Sequence, residues 1–578
     1  MLLLESLWVL AALVGAFAFP SVGSRWFEKL ERRFSAFARH RTMSVAAVGL
    51  LALTLRAALL PILPIPEPII HDEFGYLLAA DTYAHGRLTN PTHPMWVHFE
   101  TFSIIQKPTY QCFAQPAQGL MLALGQVVMG HPFWGVWLSV GLMCAAICWM
   151  LQGWLPPRWA LLGGLLAIIR YGGFTYWANS YTGGAMGALG GALVLGALPR
   201  IKRAPSVRNA LLMGLGLAIL ATNRPYEGLL LSLPVAIALF AWLAGKRSPP
   251  LRITSRSIVL PLCLVMALLG VGIGYYCWRV TGNPLQLPYQ AERQQYAVAP
   301  YMLWQHLLPE PVYHSEVLRR LYAHDEVWAF WFFGTWFGMI TKLYWMWAFY
   351  LGPALTFPFL ALALVLPFGF SWRHISKATR FLLFAMGVVL VGLECETFGS
   401  PHYISPSTGL ILALVLLAMR CVCRWRPRDR RSGLFLVRAV PLICLGLFAL
   451  RAVHGPLAGD EDYHNSWYQR GAESFGRAAL LKKLEQLPGK QLVVVRYKPD
   501  HPQFNEWVYN ERDIDAAKVV WARELTPDEN ERLLKYYDDR RVWLLEADEN
   551  PPRLSPYPAG RVAVGVFGGG ANSQRPHP

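Results

Sequence analysis

PIIHDEFGYLLAADTYAHG, Pro68 to Gly86, follows directly on an apolar run long enough to cross a bilayer. It nevertheless carries three carboxylates, Asp72, Glu73 and Asp81, and two histidines. The segments around it explain why an oily chain places titratable groups there. Of the 578 residues 54% are hydrophobic and only 15% charged, too apolar for an ordinary soluble protein of this size. Runs of 17 to 25 apolar residues mark spans. They fall near 3–20, 43–62, 134–152, 159–170, 183–199, 209–223, 228–244, 257–279, 345–370, 381–394, 404–423 and 434–452.

The connections between these runs alternate in charge. SRWFEKLERRFSAFARHR, LPPR, RIKRAPSVR, GKRSPPLRITSR, SWRHISKATR and RCVCRWRPRDRR are basic. Residues 63–133, RYGGFTYWANSYT, TNRPYEG, 280–344 and ECETFGSPHYISP are long, aromatic or both. By the positive-inside rule the first set is cytoplasmic and the second extracytoplasmic. The net charge of +17 is therefore a mark of topology and not of a nucleic-acid surface. An even number of spans places the C-terminal part outside the cytoplasm as well. There QLVVVRY, KVVWARE and RRVWLLEAD predict strands, and TPDENERLLKYYDD predicts a helix with a capping box from Thr526 to Glu529.

The expected fold is a polytopic α-helical membrane protein of about twelve spans with a small C-terminal soluble α/β domain. Its parts are an N-terminal extra helix with a basic cytoplasmic segment (1–42), a membrane domain (43–454) with a long first outer loop (63–133), the outer α/β domain (455–565) and a disordered tail (566–578). The nine cysteines show no CxxC pair or metal spacing and read as packing residues. No P-loop or dinucleotide fingerprint stands in a strand-to-helix context.

Pro64, Pro66 and Pro68 end the second span, so HDEFGYLLAADTYAHG starts a new helix with Asp72 and Glu73 in its first turn. The helix dipole favours ionised carboxylates there. Such a pair can act as a general base, hold a divalent metal or orient a hydroxyl. A plain capping role is the alternative. The length of the following loop, with His93, His98, Glu100, Lys107 and Tyr110, favours function.

An Asp-Glu pair opening the first outer loop, a long loop and a further helical bundle resemble the glycosyltransferase-C superfamily. The likeness is to its family 39-like branch, with protein O-mannosyltransferases and the lipid A aminoarabinose transferase. It covers roughly residues 43–452, with HDEFGYLLAADTYAHG and PTYQCFAQPAQG its most specific parts. The resemblance implies transfer of a sugar from a polyprenyl-phosphate donor to a hydroxyl of a glycan, lipid or protein. It makes Asp72 the general base and Glu73 its partner. It also implies a site on the outer face of a cell membrane, in bacteria the periplasmic face of the inner membrane.

Cations must then hold the departing phosphate. Arg170 and Arg224 stand at outer helix ends against the positive-inside bias, with Lys107 and Lys342 as further candidates. Snorkelling, or pairing of Arg224 with Glu227, is the alternative for these. Tyr176, Trp177, Asn179, Tyr181 and Thr182 offer planes and hydrogen-bond groups for a sugar, as would an interfacial aromatic belt. His402 and Tyr403 lie where superfamily members often have a donor-binding loop. Several relatives carry a second acid in the loop matched to RYGGFTYWANSYT, and this chain has none. HPQFNEWVYNERD, residues 501–513, has aromatic and acidic groups suited to a glycan. Two other classes fit a many-span chain: a transporter or lipid flippase, and an envelope assembly protein acting through its C-terminal domain. Polar groups gathered on one side favour surface chemistry over passage.

Overall fold

The computed structural model describes residues 1–245, 248–365, 375–427, 431–456, 476–502 and 505–558. Each of the apolar runs read from the sequence contains helix within its described residues. Among the described residues, seven helices are long and apolar enough to cross a membrane, or eight when one bent pair counts as a single span. That pair corrects one expectation. Residues 345–370 are expected as one span, but Trp336–Tyr350 and the helix from Gly352 meet at 100°. Gly352 takes a φ of 54°, which ends the first helix and redirects the chain. Residues 366–370 lie outside the described residues, as does the expected tail, 566–578.

The bundle packs around Gly184–Arg203, most of whose residues are buried. Its small side chains let neighbours approach the backbone. A Cβ on Gly191 would stand 1.8 Å from the Pro406 carbonyl oxygen, so this glycine seats the 395–407 connection against the helix. Leu2–Ala18 is tied in by Glu5, whose carboxylate accepts from Ala354 N–H at 3.0 Å and pairs with Arg170 at 3.7 Å. Arg56, inside the second apolar run, donates to the carbonyls of Ala178 and Leu63, both at 3.1 Å.

The long connection 63–133 is folded. His71–Ala84 is followed by β1 (Asn90–Pro91), β2 (Ile104–Ile105) and β3 (Thr109–Cys112), antiparallel in the order β1-β3-β2, and then by Pro116–Met129. The C-terminal residues form the expected strands and helix. β4 (Gln491–Arg496), β5 (Val519–Arg523), β6 (Arg541–Glu546) and β7 (Arg553–Pro556) make one sheet in the order β5-β4-β6-β7. Only the β6-β7 pair is antiparallel.

One face of this sheet, with Leu492, Val494, Val520 and Ala522, packs on Phe74, Leu78, Phe99, Ile104 and Tyr110 of the first loop. Tyr509 stacks on Phe74 with centroids 3.9 Å apart, and the Arg477 guanidinium covers the Phe74 ring at 5.0 Å. His98 bonds the Arg523 and Glu529 carbonyls at 2.9 and 3.1 Å. The reading of HPQFNEWVYNERD as a glycan surface is corrected here. Trp507, Val508 and Tyr509 are buried, because apolar and aromatic groups next to two packed faces are drawn into them, and Glu506 is buried as the ion-pair partner of Arg523. Gln503 and Phe504 lie outside the described residues.

Candidate active site

The helix His71–Ala84 begins after an extended Ile70, and its two acids do different things. Glu73 turns back. Its Oε2 accepts from the N–H groups of Ile69 and Ile70 at 2.9 and 3.1 Å, and its Oε1 accepts from Tyr181 N–H at 3.0 Å. Buried to 1% exposure, it fastens the start of this helix to the 173–183 connection.

Asp72 points the other way, and a quarter of its side chain remains exposed. Ser103 Oγ donates to Asp72 Oδ1 at 2.8 Å, and His71 Nδ1 stands 2.7 Å from Ser103 Oγ and 3.0 Å from Asp72 Oδ1. The network is consistent with a proton on His71 Nδ1, since Ser103 spends its own proton on the carboxylate. Oδ2 takes no hydrogen bond among the described residues. Burial alone would push the Asp72 carboxyl up. The charge of His71 and the hydrogen bonds from His71 and Ser103 outweigh it and hold the group well below the usual carboxylate range.

Ser103 reaches this position through unusual backbone. Its φ is 63°, the left-handed region that a side chain with a Cβ seldom adopts. Its carbonyl lies against Gly75, where an added Cβ would come within 2.9 Å of it and 3.0 Å of Cys112 Sγ. Gly75 thus lets the Ser103 turn close on the helix that carries Asp72.

Charge from other elements reaches the same place. Asp72 lies within electrostatic reach of His402 and Arg224. The Arg224 guanidinium covers the Tyr403 ring at 4.4 Å and stands 3.7 Å from Glu227. His402 Nδ1 meets Tyr176 Oη at 2.9 Å. Three segments far apart in sequence, carrying Asp72, Arg224 with Glu227, and His402 with Tyr403, are therefore brought within electrostatic reach of one another. On the other side His71 is within electrostatic reach of Glu292 and Glu326. Glu326 pairs with Arg293 at 2.7 Å, and Tyr322 donates to Glu292 at 2.5 Å. Burial pushes the Glu292 carboxyl up to about 7.

The remaining expected residues have other positions. Asn179 donates to the carbonyls of Gly173 and Thr175 at 2.7 and 2.9 Å, and Tyr181 Oη donates to Pro66 O at 2.9 Å. Both are buried within the 173–183 connection. Arg170 donates to Phe349 O and Ala348 O at 3.1 and 2.7 Å, at the end of a helix whose dipole favours a cation. Lys107 Nζ stands 3.8 Å above the Trp96 ring. Lys342, fully buried, donates to Glu396 O at 2.8 Å and Leu393 O at 3.3 Å.

Sequence reasoning passed over Ser103 entirely and gave no role to His71. Nothing in their local pattern marks them; only the fold brings Ser103 back to the helix start. Among the described residues no group of three or more His, Cys, Asp or Glu side chains is placed to hold a metal ion.

No protein-family model matches the chain, and no curated protein matches it. Solved structures do. The chain is similar to the Archaeoglobus fulgidus oligosaccharyltransferase in the apo form, at 10% identity over 88% of this chain and 69% of that one, with a TM-score of 0.45. It is similar to ArnT from Cupriavidus metallidurans in the apo state, at 11% identity over 88% and 93%, also with a TM-score of 0.45. The archaeal oligosaccharyltransferase AglB from Archaeoglobus fulgidus, in complex with an inhibitory peptide and a dolichol-phosphate, matches at 10% identity over 87% and 69%, with a TM-score of 0.43.

Proposed function

We propose that the chain is a membrane glycosyltransferase that moves a sugar from a polyprenyl-phosphate donor to a hydroxyl acceptor, with Asp72 as general base. One observation carries the reading. An ionised carboxylate has one oxygen fixed by Ser103 and His71 and the other without a hydrogen bond among the described residues, and cationic groups lie within electrostatic reach. Asp72 Oδ2 takes the acceptor proton as the acceptor oxygen bonds to the anomeric carbon. The bond from that carbon to the phosphate oxygen breaks, and the electron pair leaves with the polyprenyl phosphate. Arg224 and His402 stabilise the charge on the departing phosphate, so no strong acid is needed on the leaving group.

In this reading Tyr403 fixes the Arg224 plane by stacking, and Glu227 sets its orientation. Glu73 holds the helix start, while Asn179 and Tyr181 shape the wall behind it. Arg170 and Lys342 belong to the framework. The site opens to the outer face, the periplasmic side of a bacterial inner membrane, and about twelve helices embed it. The acceptor is a glycan, lipid or protein hydroxyl.

The test is a panel of synthetic polyprenyl-phosphate hexoses and pentoses given to the purified full chain in lipid nanodiscs, with release of polyprenyl phosphate as readout. At least one donor should be consumed. Consumption of none across the panel, by folded protein supplied with hydroxyl acceptors, contradicts the proposal.

A further inference from the structure

The helix Ser24–Ala38, SRWFEKLERRFSAFA, plays no part in the site described above, and its side chains divide into three sectors. An acidic sector is spent inside the chain. Glu31 takes a two-pronged pair from Arg438 at 2.7 and 3.0 Å, and Glu28 pairs with Arg431 at 2.9 Å. An apolar sector is half covered. Ala38 is buried, Phe34 packs on the main core, and the Arg438 guanidinium covers the Phe27 ring at 5.0 Å. The other half is bare: Trp26, Leu30 and Phe37, which share one stripe at helical spacing, are 62%, 47% and 38% exposed. The third sector is basic, with Arg25, Lys29, Arg32 and Arg33 all exposed.

The order of these sectors around the helix is informative. Helical geometry sets the bare apolar stripe between the covered apolar half and the basic sector. A helix with that order, fixed to a bundle by its acids, has one environment in which every sector is satisfied. It lies at the boundary between acyl chains and head groups. A soluble partner of complementary shape would have to be acidic beside the basic sector and apolar beside the stripe, whereas a bilayer supplies both layers in that order. The helix also leads into Arg41–Ala58, the first apolar helix after it, on the side marked cytoplasmic by the basic connections. Gly23, with φ of 69°, turns the chain out of Leu2–Ala18 and into this direction.

We infer that Ser24–Ala38 is an interfacial helix that docks on anionic lipid head groups, with Trp26, Leu30 and Phe37 in the acyl boundary and Arg25, Lys29, Arg32 and Arg33 on the head groups. The inference is independent of the transfer reaction. It predicts that the segment is held by the lipid and loosened when anionic lipid is withdrawn.

The experiment is amide hydrogen exchange of Ser24–Ala38 in the full chain, reconstituted in nanodiscs of phosphatidylcholine alone or with about a third phosphatidylglycerol. Exchange should slow on the order of tenfold in the anionic discs. The slowing should vanish in R25Q/K29Q/R32Q/R33Q, which keeps Phe27, Glu28, Glu31 and Phe34 and so keeps the internal anchors. It should also fall sharply in W26S/L30S, whose charge is unchanged. Equal exchange of the wild type in both discs overturns the inference, as does equal slowing in the four-glutamine variant. Protection in pure phosphatidylcholine that grows with the number of chains per disc identifies a second copy as the occupant and overturns it too.

Discussion

Ser103 Oγ donates to Asp72 Oδ1 at 2.8 Å from a residue whose φ is 63°. The hydroxyl that fixes the carboxylate is thus delivered by a turn that glycine would form without strain. Ser103→Gly separates the two roles of this position. Relief of the backbone offsets part of the stability lost with the hydrogen bond to Asp72, so stability should fall by no more than about 1 kcal/mol. Loss of a hydrogen bond to a charged group should lower kcat about tenfold with KM little changed. Thermal unfolding and steady-state kinetics on one preparation check both halves, and a stable variant with full turnover removes Ser103 from the site.

His71 sets the pH behaviour of Asp72. Asp72 is faced by His71, Ser103 and His402, and His71 by Asp72, Glu292 and Glu326. Burial alone would lower the imidazole, but these acids outweigh it and hold it above its ordinary 6.5. Asp72, held below 3.8, contributes stability that is present above that value and lost as pH falls through its folded pKa. His71 contributes stability that is full below 6.5 and lost as pH rises through its folded pKa. The pair is therefore strongest between those ordinary values. In His71→Gln the cation is gone, Asp72 moves up, and the acid limb of kcat/KM should shift to higher pH. A pH profile with an unmoved acid limb assigns that limb to another group.

Arg224 joins a charge to a plane on Tyr403. Arg224→Lys keeps the charge but loses the stack and the fork of donors, so it should not rescue the site. Both Arg224→Lys and Arg224→Gln should raise KM for the lipid-phosphate donor by roughly 10- to 100-fold, the loss of about 1.4 to 2.7 kcal/mol of binding. Donor titrations read this directly, and an unchanged KM in the glutamine variant moves phosphate recognition elsewhere.

Arg170 looks equivalent in sequence and behaves differently in the fold. It bonds two carbonyls at the end of Trp336–Tyr350 and pairs with the buried Glu5. Removing it leaves Glu5 without its cation, so Arg170→Gln should lower the thermal midpoint by several degrees. KM for donor should stay within about twofold of wild type. A stable variant with weakened donor binding would return Arg170 to the phosphate site.

The helical segments were legible because run length and loop charge are physical requirements of a bilayer. Asp72 and Arg224 drew notice as ionisable groups next to apolar runs, and His402 only through the family resemblance. What escaped reading depends on where distant segments meet. Ser103 has no distinguishing neighbours, and Gly75 is one glycine among 49 until the turn it admits is seen. Aromatic residues were ambiguous in principle. Trp507 and Tyr509 carry the composition of a sugar-binding surface yet fill cores: Tyr509 where the C-terminal sheet packs on the Asp72 helix through Phe74, and Trp507 beside Trp521 in a separate cluster with Val493 and Val495. Bending at Gly352 was hidden in the same way, since the run on either side is apolar throughout.

In the proposed reaction Asp72 Oδ2 accepts the acceptor proton. The most direct measurement compares single-turnover transfer from a consumed polyprenyl-phosphate sugar by wild type and Asp72→Asn, with donor binding measured on both. Asparagine is nearly isosteric and cannot take the proton, so transfer should fall by about 100-fold or more while donor affinity changes little. A folded Asp72→Asn chain that transfers at the wild-type rate would show that Asp72 is not the base.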